Sequence, residues 1–289
     1  MVQIQSVNPH ALINRYIKTM SYVELETLLA FVLRCERKDI FVKDISINSQ
    51  IEQAYESAVK RRLSGEPLQY IIGREKFMDF DFFVNSNTLI PRPETELLVK
   101  SAMDYISDMR KKKSQADMLN VLDLCTGCGN IAVSLARLVP FLNITATDLS
   151  SAALEIAYKN CVLNNVKKII TFHSGDMLKA LDVDKKYTFD IMVCNPPYVK
   201  RDFFGSLQKE VSFEPRMALY GGEDGLDFYR IIADSAFCFL RPDGKLFLEI
   251  GLGQTQGVSE IFTKNNIYNI VDVKKDFSGI DRVLWISLS

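Results

Sequence analysis

Apolar residues in the first sixty-odd positions recur at helical spacing. Leu12, Ile13, Tyr16, Ile17 and Met20 form one stripe behind Asn8-Pro9, a dipeptide suited to a helix start because proline's fixed φ fits the first turn. Ser21 and Glu24 read as a capping box ahead of Leu25, Leu28, Leu29, Val32 and Leu33. Ser49 and Glu52 repeat the device ahead of Tyr55, Ala58, Val59 and Leu63, and Gly65 and Pro67 stop that helix. Each stripe has a polar back, so residues 1–66 are predicted to pack as a small helical bundle. No catalytic constellation appears in it.

The pattern changes over 67–93. Phe77, Phe80, Phe82, Phe83 and Val84 alternate imperfectly with polar residues, and Asn85-Ser86-Asn87 is turn-prone, which predicts a hairpin or an extended linker. Ile90-Pro91-Arg92-Pro93 is held extended, since proline pushes its predecessor out of the helical region. Over 94–289 helical and strand patterns alternate. Helices are predicted at 97–109, 131–139, 152–164 and 226–240, and strands at 119–124, 143–147, 169–172, 189–194 and 246–250. Two closing strands, 267–273 and 283–288, have little between them and suggest an antiparallel edge. Strands separated by helices imply a doubly wound, mostly parallel sheet that binds its ligand at the strands' C-terminal ends. The fold class is therefore α/β, Rossmann-like, with an N-terminal helical bundle.

Composition narrows the chemistry. Hydrophobic residues make up 47% and charged residues 25%, ordinary for a globular protein. No apolar run reaches the roughly 18 residues of a membrane helix, and the N-terminus lacks the pattern of a signal peptide, so a cytoplasmic protein is expected. The net charge of −1 gives no global field for nucleic acid. Lys111-Lys112-Lys113 is a local basic run, read as a solvated helix end. Six cysteines and two histidines neither form a secreted disulfide framework nor supply a zinc cluster.

Three strand ends carry candidate cofactor chemistry. Asp123-Leu-Cys-Thr-Gly-Cys-Gly-Asn130 joins a strand to a helix, and Gly127 and Gly129 permit a tight turn and close approach of a ligand. Asp148 ends the next strand, where a carboxylate can accept both hydroxyls of a ribose; the bland alternative is a helix cap, a role Ser150 could also fill. Asp176 and Met177 follow the third strand, placed to accept from an adenine amino group and to pack on its ring. S-adenosylmethionine suits this set: its carboxylate would meet the glycine turn and the positive end of the following helix. Cys125-Thr-Gly-Cys128 is formally a C-x-x-C, which leaves a redox role open. Thiolates are stabilised near helix N-termini, so Cys125 and Cys128 are expected to react with alkylating agents, with Cys194 close by.

Asn195-Pro196-Pro197-Tyr198 follows the strand ending at Cys194. An amide nitrogen is a poor nucleophile because its lone pair is delocalised. A site that methylates it must accept hydrogen bonds from its N–H groups, freeing the lone pair. The Asn195 side-chain oxygen and the Pro196 carbonyl can be those acceptors, the prolines restrict φ, and Tyr198 offers a face to a planar group. The bland alternative is a rigid turn.

Here the chain resembles the glutamine N5-methyltransferases that modify peptide chain release factors, the HemK/PrmC type. The resemblance spans most of the chain and rests on Gly65-Glu-Pro-Leu-Gln-Tyr-Ile-Ile-Gly73, Leu89-Ile-Pro-Arg-Pro-Glu-Thr-Glu96, Asn195-Pro-Pro-Tyr198, Phe213-Glu-Pro215, Gly222-Glu-Asp-Gly-Leu226 and Leu248-Glu-Ile-Gly251. It implies methyl transfer from S-adenosylmethionine, with S-adenosylhomocysteine as product and no metal, to the glutamine of a Gly-Gly-Gln tripeptide. It also implies that the bundle contacts the release factor. By position, Asp123, Cys125, Thr126, Gly127, Cys128, Gly129, Asp148, Asp176, Met177 and Asn195 are the expected cofactor residues. Asn195, Pro196, Pro197 and Tyr198 are expected to bind the glutamine. The sequence departs from the family at Cys125 and Cys128, where small residues are usual, and at Met177, often tryptophan. A monomer is expected. The rival readings are an adenine-N6 methyltransferase on nucleic acid, which shares the acceptor motif, and a non-catalytic adaptor docking on a translation factor.

Overall fold

The computed structural model describes residues 8–42, 45–112, 117–181 and 186–289. The chain divides into two compact units, Met1–Gly73 with Gln208–Phe213, and Arg74–Leu207 with Glu214–Ser289.

In the N-terminal unit, α1 (Pro9–Asn14), α2 (Tyr22–Leu33), α3 (Asp39–Val42), α4 (Ser49–Leu63) and α5 (Leu68–Ile72) surround a core of Leu12, Ile13, Leu25, Leu28, Leu29, Tyr55 and Val59. All seven are fully buried, and burying an aliphatic side chain of this size contributes roughly 1.5–3 kcal/mol. The structure differs from the periodicity in three places. The helix begun at Pro9 ends at Asn14, and Ile17 is exposed. There the Thr19 hydroxyl donates to the Tyr16 carbonyl at 2.8 Å, competing with the helical ladder. At α4 the cap is Asn48, whose side chain accepts from the Ile51 N–H at 3.0 Å, so the Ser49/Glu52 box lies one residue too far along. Gly65-Glu66-Pro67 does stop α4, but Leu68–Ile72 then forms α5 where linker was expected.

The second unit begins with a hairpin, β1 (Arg74–Phe77) and β2 (Phe80–Phe83). Its two turn residues, Met78 and Asp79, both have positive φ, as a twist-matched two-residue turn requires, although neither is glycine. The Met78 N–H is tied to the Glu96 carboxylate at 3.1 Å. The remaining elements are α6 (Thr95–Lys112), β3 (Leu119–Leu124), α7 (Asn130–Leu138), β4 (Leu142–Asp148), α8 (Ser151–Leu163), β5 (Ile170–Ser174), β6 (Phe189–Cys194), α9 (Asp227–Ser235), β7 (Leu240–Glu249), α10 (Thr255–Thr263), β8 (Tyr268–Lys275) and β9 (Asp281–Leu288). One seven-stranded sheet runs in the order β5-β4-β3-β6-β7-β9-β8. β3 to β7 pair in parallel, and β9 runs antiparallel to both of its neighbours. The strand order reverses at β3, between β4 and β6, which opens a crevice at their C-terminal ends. α10 has no counterpart in the sequence reading, and β7 starts at Leu240, absorbing the Pro242-Asp243-Gly244 turn in an irregular register with β6.

Lys111 forms an exposed pair with Asp108 at 2.8 Å, as a solvated helix end does; Lys113 and the Lys112 side chain lie outside the described residues. Among the described residues no helix is long and apolar enough to cross a membrane.

Candidate active site

A cavity of about 610 Å³ opens at the reversal point. That is the size of a cofactor pocket. The turn from β3 into α7 forms one wall. Cys125, Gly127 and Gly129 all have positive φ, and a Cβ on Gly129 would come within 3.1 Å of the Ala157 Cβ on α8, so the turn needs glycine there. A Cβ on Gly127 would meet nothing within 4 Å: the residue faces open space on the cavity wall.

Asp148 closes β4 and lines the same cavity. Its Oδ2 accepts from the Gly127 N–H and its Oδ1 from the Ser150 N–H, both at 2.8 Å. Burial raises its pKa against these hydrogen bonds, which lower it. Ser150 caps α8 by accepting from the Ala153 N–H, which leaves Asp148 free of that task. One N–H of the glycine turn is therefore spent on Asp148, coupling the turn to the carboxylate. Met177 lines the cavity with its sulfur 3.2 Å from the Cys125 sulfur. Asp176 is also on the wall, and its carboxylate pairs with Lys179 at 2.9 Å.

Asn195 brings the acceptor motif to the same space, and Pro197 lines it too. The Asn195 Nδ2 donates to the Thr95 hydroxyl at 3.1 Å, which leaves its Oδ1 as the acceptor the amide can offer. Of the ten residues expected around the cofactor, Cys125, Gly127, Asp148, Asp176, Met177 and Asn195 share this cavity. Asp123, Thr126, Cys128 and Gly129 do not reach it and instead build the turn from behind. The Asp123 Oδ2 accepts from the Thr126 hydroxyl at 2.6 Å and from the Ala132 N–H at 3.2 Å. Burial pushes the Asp123 carboxyl up to about 7. Pro196 and Tyr198 also stand off the wall: Pro196 is buried, and the Tyr198 hydroxyl faces Glu249 instead of offering its ring to the cavity.

The cysteine expectation changes. Burial pushes the Cys128 thiol up to about 12 and the Cys194 thiol well above its ordinary value, overriding the helix end. The Cys125 thiol faces Cys194 and lies 3.2 Å from the Met177 sulfur. None of the six cysteines is in a disulfide.

Residues that the sequence did not single out complete the wall, among them Arg216, Met217, Phe228 and Ile231. Thr95 stands behind Asn195, and Glu249 is buried at the end of β7. A legible signal existed for Glu249, because an acid inside the apolar run Leu246-Phe-Leu-Glu-Ile250 breaks the pattern of a buried strand.

S-adenosylmethionine fits these residues. A half-buried carboxylate, a glycine turn with room beside it, and the unpartnered, fully buried Thr147 hydroxyl oxygen on the wall together ask for a polar ligand. Fold and cavity define the class: a Rossmann-like class I methyltransferase. Residues 101–208 match the methyltransferase small domain, and residues 20–73 match the PrmC N-terminal domain. The chain is 39% identical to the release factor glutamine methyltransferase of Thermodesulfovibrio yellowstonii, over 92% of each chain. It is 36% identical to the bifunctional methyltransferase of Rickettsia felis over 92% of its own length but 54% of that protein, so it spans about half of that relative. The human methyltransferase 10 domain containing protein shares the fold, with a TM-score of 0.53 at 18% identity, over 85% of this chain and 100% of that one. This chain belongs to the release factor glutamine methyltransferases.

Proposed function

We propose that the protein transfers a methyl group from S-adenosylmethionine to the side-chain amide nitrogen of the glutamine in the Gly-Gly-Gln tripeptide of peptide chain release factors. The observation that carries this reading is that Asn195, its amide nitrogen held by Thr95, lines the same cavity as Asp148, Gly127 and Met177. A cofactor held along the ends of β3, β4 and β5 lies beside a group bound at the end of β6.

When bound, the cofactor supplies an electrophilic methyl group on its sulfonium. Asp148 would hold the ribose, and the turn at Cys125 and Gly127 would receive the amino-acid end. Met177 and Asp176 would hold the adenine. Asn195 Oδ1 would accept from one glutamine N–H, and the Pro196 carbonyl from the other if the bound glutamine reaches behind the wall that Pro196 stands off, which would leave the nitrogen lone pair free for the methyl group. Apolar side chains such as Leu89, Phe228 and Ile231 exclude water from that space. Positioning and preorganised acceptors supply the rate, with no covalent nucleophile and no metal called for. The N-terminal unit, with its own core and no catalytic constellation, is read as the surface that recognises the factor. A monomer acting in the cytoplasm is part of this reading. The test is incubation with labelled S-adenosylmethionine and purified release factor, followed by peptide mass mapping. Label on the Gly-Gly-Gln glutamine is expected; label elsewhere, or none, would end the proposal.

A further inference from the structure

The chain beyond the acceptor motif presents a cation that has no part in the chemistry above. Arg216 lines the cavity and is exposed, which puts it at the opening. Its guanidinium carbon lies 5.2 Å from the centre of the Phe204 ring and 5.4 Å from that of Tyr220. The two rings meet edge to face at 5.7 Å. A guanidinium held against ring faces keeps its in-plane N–H donors for other acceptors.

The acids near it in the chain are all engaged elsewhere. Between 214 and 227 they are Glu214, Glu223, Asp224 and Asp227. Glu214 is paired with Arg92, Glu223 with Arg201, and Asp224 and Asp227 with Arg230. Among the described residues, no carboxylate or carbonyl accepts from the Arg216 guanidinium.

The segment carrying Arg216 is fastened on both sides. Before it, the buried Glu214 carboxylate accepts from the Ile90 N–H at 3.0 Å and from Arg92. After it, the Val199 N–H donates to the Leu219 carbonyl at 2.8 Å, and the Gly221 N–H to the Val199 carbonyl at 3.0 Å. A Cβ on Gly221 would stand 2.6 Å from the Tyr198 Cα, so this backbone lies directly against the acceptor motif. The Tyr220 hydroxyl donates to Glu223 at 3.2 Å, which ties down that ring. Arg216 therefore belongs to the acceptor side, beyond β6, whereas Gly127, Asp148 and Met177 sit at the ends of β3, β4 and β5.

Two residues of a Gly-Gly-Gln tripeptide have no side chain, so beside the glutamine only main-chain groups are there to be recognised. A guanidinium offers donors alone, in a planar fork, and so matches carbonyl oxygens. We propose that Arg216 is a specificity-determining residue that binds main-chain carbonyls of the substrate next to the glutamine, with Phe204 and Tyr220 as positioning residues that aim it. The inference rests on the substrate reading given above.

The experiment measures release-factor binding in the presence of S-adenosylhomocysteine, beside steady-state methylation and a cofactor titration of each variant. Arg216→Met keeps the long apolar stem. It should weaken factor binding and raise KM about 10- to 100-fold, the range for hydrogen bonds to a charged group. Both kcat and cofactor affinity should stay within about threefold, because this grip is the same before and during methyl transfer. Arg216→Lys should recover only part of the loss, since it has the charge without the fork. Phe204→Leu should weaken factor binding about two- to fivefold, the scale of one cation–π contact. It should add nothing to Arg216→Met, because the ring acts through the arginine. Factor binding by Arg216→Met within twofold of wild type, full recovery by Arg216→Lys, or an additive loss in the double variant would each overturn the inference. A tenfold loss of cofactor affinity in Arg216→Met would overturn it too, by assigning the arginine to the cofactor's carboxylate. If the wild type labels the glutamine while Arg216→Met binds the factor normally, only this inference falls. If the wild type labels no glutamine, the substrate reading falls with it.

Discussion

The N-terminal unit and the catalytic unit treat buried polar groups differently. In the bundle the buried carboxylate of Glu26 is paired with Arg37, and the Asn48 and Ser21 caps close their helices. In the catalytic unit Asp123 and Glu249 are buried with an oxygen left over. Among the described residues, every buried side-chain nitrogen or oxygen without a partner lies there: on Arg110, Asp123, Ser134, Thr147, Glu249 and Trp285. An unsatisfied buried polar group costs about 1–3 kcal/mol. The bundle, read as a recognition surface, has no use for such groups. In the catalytic unit one of them, on Thr147, lies on the cavity wall, and another, on Asp123, lies directly behind the glycine turn.

The comparison can be pressed hardest in the bundle. Leu28→Ala removes a fully buried side chain and should destabilise the N-terminal unit by about 2–5 kcal/mol, read by urea unfolding. Cofactor affinity should be untouched, and a parallel loss of cofactor binding would show that the units do not divide the work. Next in size is Asn195→Ala, expected to lower single-turnover methylation by about 10²–10³, or roughly 2.7–4 kcal/mol, because its oxygen bonds more strongly as the nitrogen gains positive character. Cofactor titration of the same variant should change far less. A turnover rate within threefold of wild type would move the acceptor site elsewhere.

Asp148→Asn keeps an accepting oxygen but loses the charge. It should weaken S-adenosylmethionine binding by about 1.5–3 kcal/mol in calorimetric titration, and unchanged affinity would remove Asp148 from the ribose. The last effect is a pH dependence. The folded Asp123 carboxyl titrates at about 7, above its unfolded value near 3.9, so it binds its proton more tightly when folded. Its contribution to stability is full below the unfolded value and is lost as pH rises through about 7. Unfolding of wild type and Asp123→Asn between pH 4 and 8 should show this slope in wild type and a shallower one in the variant. Parallel curves would mean that Asp123 is ionised throughout.

Much of the architecture was legible because burial on both faces of a parallel sheet leaves a simple trace. Leu119–Leu124 and Phe189–Cys194 are mostly apolar, broken only by Asn120, Asp123 and Asp190, and both strands have the expected bounds. α10 left little trace: Thr255, Gln256, Gly257 and Ser259 favour a helix weakly, and only Val258 and Phe262 are buried to hold it. The expected strand covers only 246–250, whereas β7 runs Leu240–Glu249 through Pro242-Asp243-Gly244, residues with low strand propensity.

By itself the sequence determined the alternation of strands and helices, the ligand-bearing strand ends and the acceptor motif, since each depends on residues adjacent in the chain. Tertiary structure alone decided which of those residues share the cavity and which stand behind it. The glycine turn reads as one motif, yet Cys125 and Gly127 face the cavity while Asp123, Thr126 and Cys128 face the core. It likewise decided that Cys125 meets Cys194 on the neighbouring strand, and that Thr95, far away in the chain, meets Asn195. Such contacts are set by strand order and helix placement, and hydrophobic periodicity carries no information about which strand lies beside which.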